Sequence, residues 1–170
     1  MLIASPLPPT NIVQTQDEET VHQIWTVHSK TAWTSEERIE LEKMGIRTLR
    51  QPTSHQLLVW TEQPLALDGM VWSEWDSVSW DIRDDIFHHR IVLEPRLLAD
   101  DVIRITELIG EIGLVEFERI VDQNLPIGTE IEIVTHPSNL VGLRGIEGIR
   151  SVHPVLDTQG RDTVVSSIME

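Results

Sequence analysis

The sequence predicts an α+β fold made of two tandem βαββαβ sandwiches with antiparallel sheets. An order of strand, helix, stopping glycine, strand pair, short proline-initiated helix and closing strand occurs twice, at a period of roughly 70 residues. Each main helix ends at a glycine, Gly45 in the first half and Gly113 in the second. Each short helix opens on a proline, Pro64 or Pro137, a residue tolerated in a first turn.

In the first half, Gln23 to His28 (QIWTVH) is rich in β-branched and aromatic residues and reads as a strand. Thr34-Ser-Glu-Glu37 is a capping box that opens the helix TSEERIELEKM. Ile46 to Arg50 and His55 to Thr61 flank Gln51-Pro-Thr-Ser54, giving strand, turn, strand. Pro64 starts a short helix through Trp72, and Ser77 to Ile82 closes the unit as a strand.

The second half follows the same order. Arg90 to Glu94 is a strand, and Asp100 and Asp101 sit at a helix start, where carboxylates favour the positive end of the dipole. Val102, Ile105, Ile109 and Ile112 fall on one helical face. Val115 to Val121 and Thr129 to Thr135 flank the loop DQNLPIG, Pro137 to Ile146 forms the short helix, and Ile149 to Val155 the last strand. A βαββαβ unit of this kind is a ferredoxin-like split βαβ sandwich, with both helices on one face of a four-stranded antiparallel sheet. The predicted organisation is an extended N-terminal arm (1–21), a first ferredoxin-like module (22–86), a second (87–156) and a flexible C-terminal tail (157–170).

Composition narrows the function classes. The chain has 170 residues, 40% of them hydrophobic, enough for packed cores. The absence of cysteine removes disulfides, thiolate catalysis and cysteine-based metal sites. A net charge of −15 with scattered basic residues argues against nucleic acid as a partner. Such acidity suits a basic or helix-N-terminal protein surface, or simply keeps the chain soluble. No apolar run is long enough to span a membrane, so no membrane partner is expected. Met1 to Thr20 lack a basic n-region and an apolar h-region. The chain therefore reads as cytoplasmic as it stands, or secreted if Met1 replaces a removed signal.

No catalytic or cofactor chemistry is expected. The seven histidines make no HxxxH or HExxH spacing, and no metal site is predicted. No serine lies in a GxSxG elbow and no glycine-rich phosphate loop occurs. The six tryptophans, clustered between Trp25 and Trp80, read as core and module interface.

Two features point to binding instead. Thr129 to Ile133 (TEIEI) alternates, so Ile131 and Ile133 face the helices while Glu130 and Glu132 face out. These carboxylates could cap helix N-termini of a partner, or form only the wet face of a strand. Gln23 to Val27 and Leu57 to Trp60 are apolar on both faces, with Ile24, Val27, Leu57 and Val59 set against Trp25, Leu58 and Trp60. A sheet apolar on both faces is covered on both, so Trp25, Leu58 and Trp60 are expected at the interface between the modules, a protein partner being the alternative.

The segment TSEERIELEKMGIRTLRQPTSHQLLVWTEQPLALDGMVWSEWDSVSWDI resembles the N-terminal propeptides of subtilisin-like serine proteases. There a helix ends in LxxxG, two strands carry an aliphatic run, and a short helix precedes a closing strand. The corresponding pieces are Leu41 to Gly45, Leu57 to Trp60 and Val78 to Trp80; the second half repeats them at Ile109 to Gly113, Ile131 to Val134 and LRGIEGIRSVHPVL. The resemblance implies a non-catalytic intramolecular chaperone that remains as a tight inhibitor, with a subtilisin-like serine protease as partner in cis or in trans. It implies that the open sheet face docks on two surface helices of the protease, with acidic side chains at their N-termini, and that a C-terminal tail lies in the substrate cleft. Glu130 and Glu132 are the matching acids. In the tail, Val164, Val165, Ile168, Met169 and Glu170 would add as an extended strand. A frayed terminus is the other reading of that tail.

The chain departs from the family in carrying two modules, which leaves open which one binds. Two other functions fit the same fold. One is a small-molecule regulatory module, since tandem ferredoxin-like units also serve as amino-acid sensors. The other is an acidic adaptor.

Overall fold

The structure, a computed structural model, describes residues 4–6, 23–122 and 124–156. Of the predicted N-terminal arm, the backbone at Ala4–Pro6 forms β1. The rest of the arm and the tail from 157 lie outside the described residues. The architecture is α+β, with sheets in which antiparallel pairing dominates.

β2 (Ile24–Ser29) leads into α1 (Ser35–Lys43), and the predicted capping box is formed. Glu37 N donates to Thr34 Oγ1 at 3.2 Å while Thr34 N donates to Glu37 Oε2 at 2.9 Å. Gly45 follows with φ +83°, the left-handed conformation that reverses the chain after a helix. β3 (Arg47–Thr53) and β4 (Gln56–Trp60) come next, joined by a turn at Ser54 and His55. The predicted turn at Gln51-Pro-Thr-Ser54 is therefore displaced. Pro52 lies within β3, which is an edge strand, where a missing N–H is tolerated.

The helix expected from Pro64 to Trp72 is not formed. The segment is extended, as β5 (Leu65–Leu67) and β6 (Met70–Glu74) around a turn at Asp68 and Gly69, with Gly69 at φ +72°. Asp-Gly is a turn dipeptide, and Leu65/Leu67 and Met70/Trp72 alternate on either side of it. Leu67 is buried, and Leu65, Met70 and Trp72 pack against the same cluster. β5 pairs with β1, and β6 with β2, so the first main sheet has the order β3-β4-β2-β6.

The expected closing strand of the first half also changes place. Within Ser77 to Ile82 only Ser79–Trp80 is a strand, β7, and it runs parallel to a strand of the second sheet. β6 takes its role in the first sheet.

The second half contains β8 (His88–Leu93), α2 (Ala99–Ile112), β9 (Leu114–Arg119), β10 (Glu130–Val134), α3 (Pro137–Leu140) with a 3-10 turn at Val141–Gly145, and β11 (Ile149–Pro154). Its sheet has the order β7-β11-β8-β10-β9. Ile105 and Ile109 of α2 are fully buried, and Val102 and Ile112 pack beside them, as the helical spacing predicts. Gly113 ends α2 differently from Gly45, in extended backbone. It is small because a Cβ there would stand 2.7 Å from Thr135 Cβ.

The core has two parts. Val27, Leu41, Leu57 and Val59 pack between α1 and the first sheet. The larger cluster crosses the halves: Ile24, Leu49 and Leu58 join Ile91, Leu93, Ile105, Ile109, Ile131 and Ile133. The first sheet is thus covered by its own helix on one face and contacts the second half with the other. Leu58 is buried in the shared cluster, and Trp60 packs on it. Trp25 does not share their face. It pairs with Val59, packs on the α1 side and meets Trp72 edge-on at 6.3 Å between ring centroids. Strand parity explains the correction: Ile24 and Val27 are an odd number of residues apart and must face opposite ways, so Ile24 turns to the second half and Trp25 follows Val27.

Candidate functional site

The face of the second sheet opposite its helices carries both charged and exposed apolar side chains. Alternation sends His89, Ile91, Leu93, Ile131 and Ile133 inward, all of them buried. His88, Arg90 and Val92 of β8, and Glu130, Glu132 and Val134 of β10, take the other face, directly paired. The β10–β9 pairing carries a bulge at Glu132/Ile133, so that Phe117 stands opposite Glu132 and Leu114 opposite Val134. Paired residues share a face. Phe117 (47% exposed) and Leu114 (66%) therefore lie on the outer face beside the carboxylates.

β9 is also the edge of the sheet, and all six of its residues are exposed. An edge presents unpaired backbone donors and acceptors that can template another chain. Ile120, Leu125 and Ile127, in and before the following loop, are exposed as well. Patches of this kind mark interaction sites in soluble proteins.

The predicted carboxylates do lie on this face, but each already holds a cation. Arg90 donates to Glu132 Oε1 from Nε at 3.1 Å and from Nη2 at 2.7 Å, and His88 Nε2 is 3.2 Å from Glu132 Oε2. Arg119 Nη2 is 3.0 Å from Glu130 Oε1. Capping a partner's helix would have to compete with these pairs. Glu116, half-exposed with His88 Nε2 3.9 Å away, is the more accessible acid of this face, whereas Glu118 pairs with Ile131 and takes the helix side. Val164, Val165, Ile168, Met169 and Glu170 lie outside the described residues.

Leu114 and Phe117 carry this face and were not singled out by sequence reasoning. The run VEFER alternates as though Val115 and Phe117 both faced the core. Only the bulge turns Phe117 outward, and its register depends on β10, distant in sequence.

Beneath the face, His89 is fully buried, with Arg83 N 3.4 Å from its Nε2. Burial pushes its imidazole below the ordinary value, the nearby Asp81 charge opposes this, and His88 adds to it. The described residues include no group of three or more His, Cys, Asp or Glu placed to hold a metal ion. No helix among them is long and apolar enough to cross a membrane. Compared with models of known protein families the chain matches none, and a search of curated proteins gives no match.

Proposed function

We propose that the chain is a non-catalytic, propeptide-like module that assists the folding of a subtilisin-like serine protease and inhibits it. The observation that carries this reading is the open outer face of the second sheet, where Leu114 and Phe117 stand exposed among paired charges along an unpaired edge strand.

Both halves are read as ferredoxin-like units. Their sheets each place the fourth strand beside the first, then the third, then the second: β6-β2-β4-β3 and β11-β8-β10-β9. In the first unit an extended segment replaces the second helix. The first unit's sheet is covered on one face by α1 and contacts the second half on the other, so the second unit is assigned the docking role. Phe117 and Leu114 supply the apolar contact, Glu116 the accessible acid, and Glu130 and Glu132 exchange their sheet partners for the protease surface. By the resemblance, the tail with Val164, Val165, Ile168 and Met169 enters the substrate cleft.

The test is a titration of the purified chain against a subtilisin-type protease on a chromogenic peptide. The expected result is saturable, tight inhibition that weakens at least tenfold when residues 164–170 are removed. Full inhibition by the truncated chain would remove the tail from the mechanism, and no inhibition by the intact chain would remove the whole reading.

A further inference from the structure

A separate feature lies between the two halves, away from the outer face of the second sheet. A cleft of about 510 Å3 opens there, within the range of small-molecule sites. Its apolar walls come from Ile24 and Trp60 of the first half, Leu97, Ile105 and Ile146 of the second, and Trp75 between them. Charged groups of both signs line it as well: Asp76, Asp101 and Glu147, Arg104 and Arg144.

The polar groups are under-used within the fold. The chain carries 13 Lys and Arg against 28 Asp and Glu, yet no carboxylate among the described residues pairs with Arg144, whose guanidinium rests 5.4 Å from the Trp80 ring centroid. Arg104 is held only loosely, with Nη2 3.6 Å from Asp101 Oδ1. The indole Nε1 atoms of Trp60 and Trp75 are buried without an acceptor among the described residues. Asp76 accepts only the backbone N–H of its neighbour Ser77, at 2.8 Å. Arg144 without a carboxylate and Asp76 without a cation among the described residues thus stand over an apolar floor.

We propose that this cleft binds a zwitterionic α-amino acid with a large apolar side chain. The carboxylate is received by Arg144 and Arg104. The ammonium is received by Asp76 and Asp101, and the side chain lies against Trp60, Trp75 and Ile105. Because the lining comes from both halves, the ligand ties them together. Glu147, in the cleft lining, already does so by accepting Gln23 N and Ile24 N at 2.9 and 2.5 Å.

The experiment is calorimetric titration of the whole 170-residue chain with L-phenylalanine and L-leucine, without any protease, so that its outcome is independent of inhibition. Glycine, 3-phenylpropionate and 2-phenylethylamine are the comparison ligands. The expected result is single-site binding of L-phenylalanine or L-leucine, with the three comparison ligands at least tenfold weaker. Arg144→Met and Trp75→Phe should each weaken binding at least tenfold, and Arg144→Lys should restore part of it. Absence of binding of both amino acids to about 10 mM would overturn the proposal. Equal binding by 3-phenylpropionate, or unchanged binding by Arg144→Met in a chain with the wild-type thermal midpoint, would overturn it too.

Discussion

Arg50 closes on the fully buried Glu94 carboxylate through two parallel bonds, Nε to Oε2 and Nη2 to Oε1, both 2.9 Å. The pair joins β3 in the first sheet to the residue that follows β8 in the second. It also sets a fully buried carboxylate inside the joint. Removing one partner leaves an uncompensated buried ion, which costs about 3–5 kcal/mol, whereas replacing both with apolar groups of similar volume is far milder. Arg50→Met or Glu94→Gln should therefore lower urea-unfolding stability by about that amount, and Arg50→Met with Glu94→Leu should recover most of it. Equal losses in the single and double variants would show that the pair is not what joins the halves.

Arg96 holds the same joint at a conformational cost. Its φ is +58°, and its Nη1 donates to Thr48 O at 2.6 Å, Thr48 Oγ1 at 3.0 Å and Glu42 Oε1 at 3.3 Å. Burial would raise the Glu42 carboxyl, but the Thr48 and Arg96 bonds outweigh it and hold it below the ordinary range. Both Arg96→Ala and Arg96→Gly lose these bonds, but only glycine accepts the left-handed backbone freely. Arg96→Gly should be the more stable of the two by about 1 kcal/mol in denaturant titrations.

Gly128 marks where the loop before β10 passes against the end of β8. A Cβ there would stand 1.9 Å from Leu93 O, so the backbone itself must move. Gly128→Ala should cost about 1–3 kcal/mol and lower the thermal midpoint. Gly110→Ala is the control, because its Cβ would meet nothing within 4 Å. That change should be neutral or stabilising in α2.

His89 predicts a pH dependence of known sign. Its folded-state pKa lies below its unfolded value, so the unfolded chain takes up the proton first. Its effect is absent well above pH 6.5. Stability then falls as pH drops through about 6.5 and levels off once the folded form also protonates. His89→Gln should flatten that part of the stability–pH curve, read by chemical unfolding at several pH values.

Much of the fold was legible where local chemistry decides it. The Thr34–Glu37 capping box, the Gly45 stop and the Ile105/Ile109 stripe all act within one helix, and each stands where the sequence puts it. Pro64 is compatible with a helix start, but the turn chemistry of Asp68-Gly69 and the alternation flanking it decide the segment in favour of strands. Hydrophobicity alone groups Ile24 with Val27 and Trp25 with Leu58, whereas strand parity separates both pairs. Phe117 could not be placed from its own strand, because its direction is set by a bulge against β10. Ser79–Trp80 likewise pairs with a strand some seventy residues later, beyond any local signal.

The most direct measurement of the central claim is inhibition of a subtilisin-type protease by the wild-type chain and by Phe117→Asp. Phe117 is 47% exposed and outside both core clusters, so the variant should fold with an unchanged thermal midpoint. The wild-type chain should inhibit tightly and the variant at least tenfold less, about 1.4 kcal/mol of binding. No inhibition by either protein, or equal inhibition by both, would contradict docking through the outer face of the second sheet.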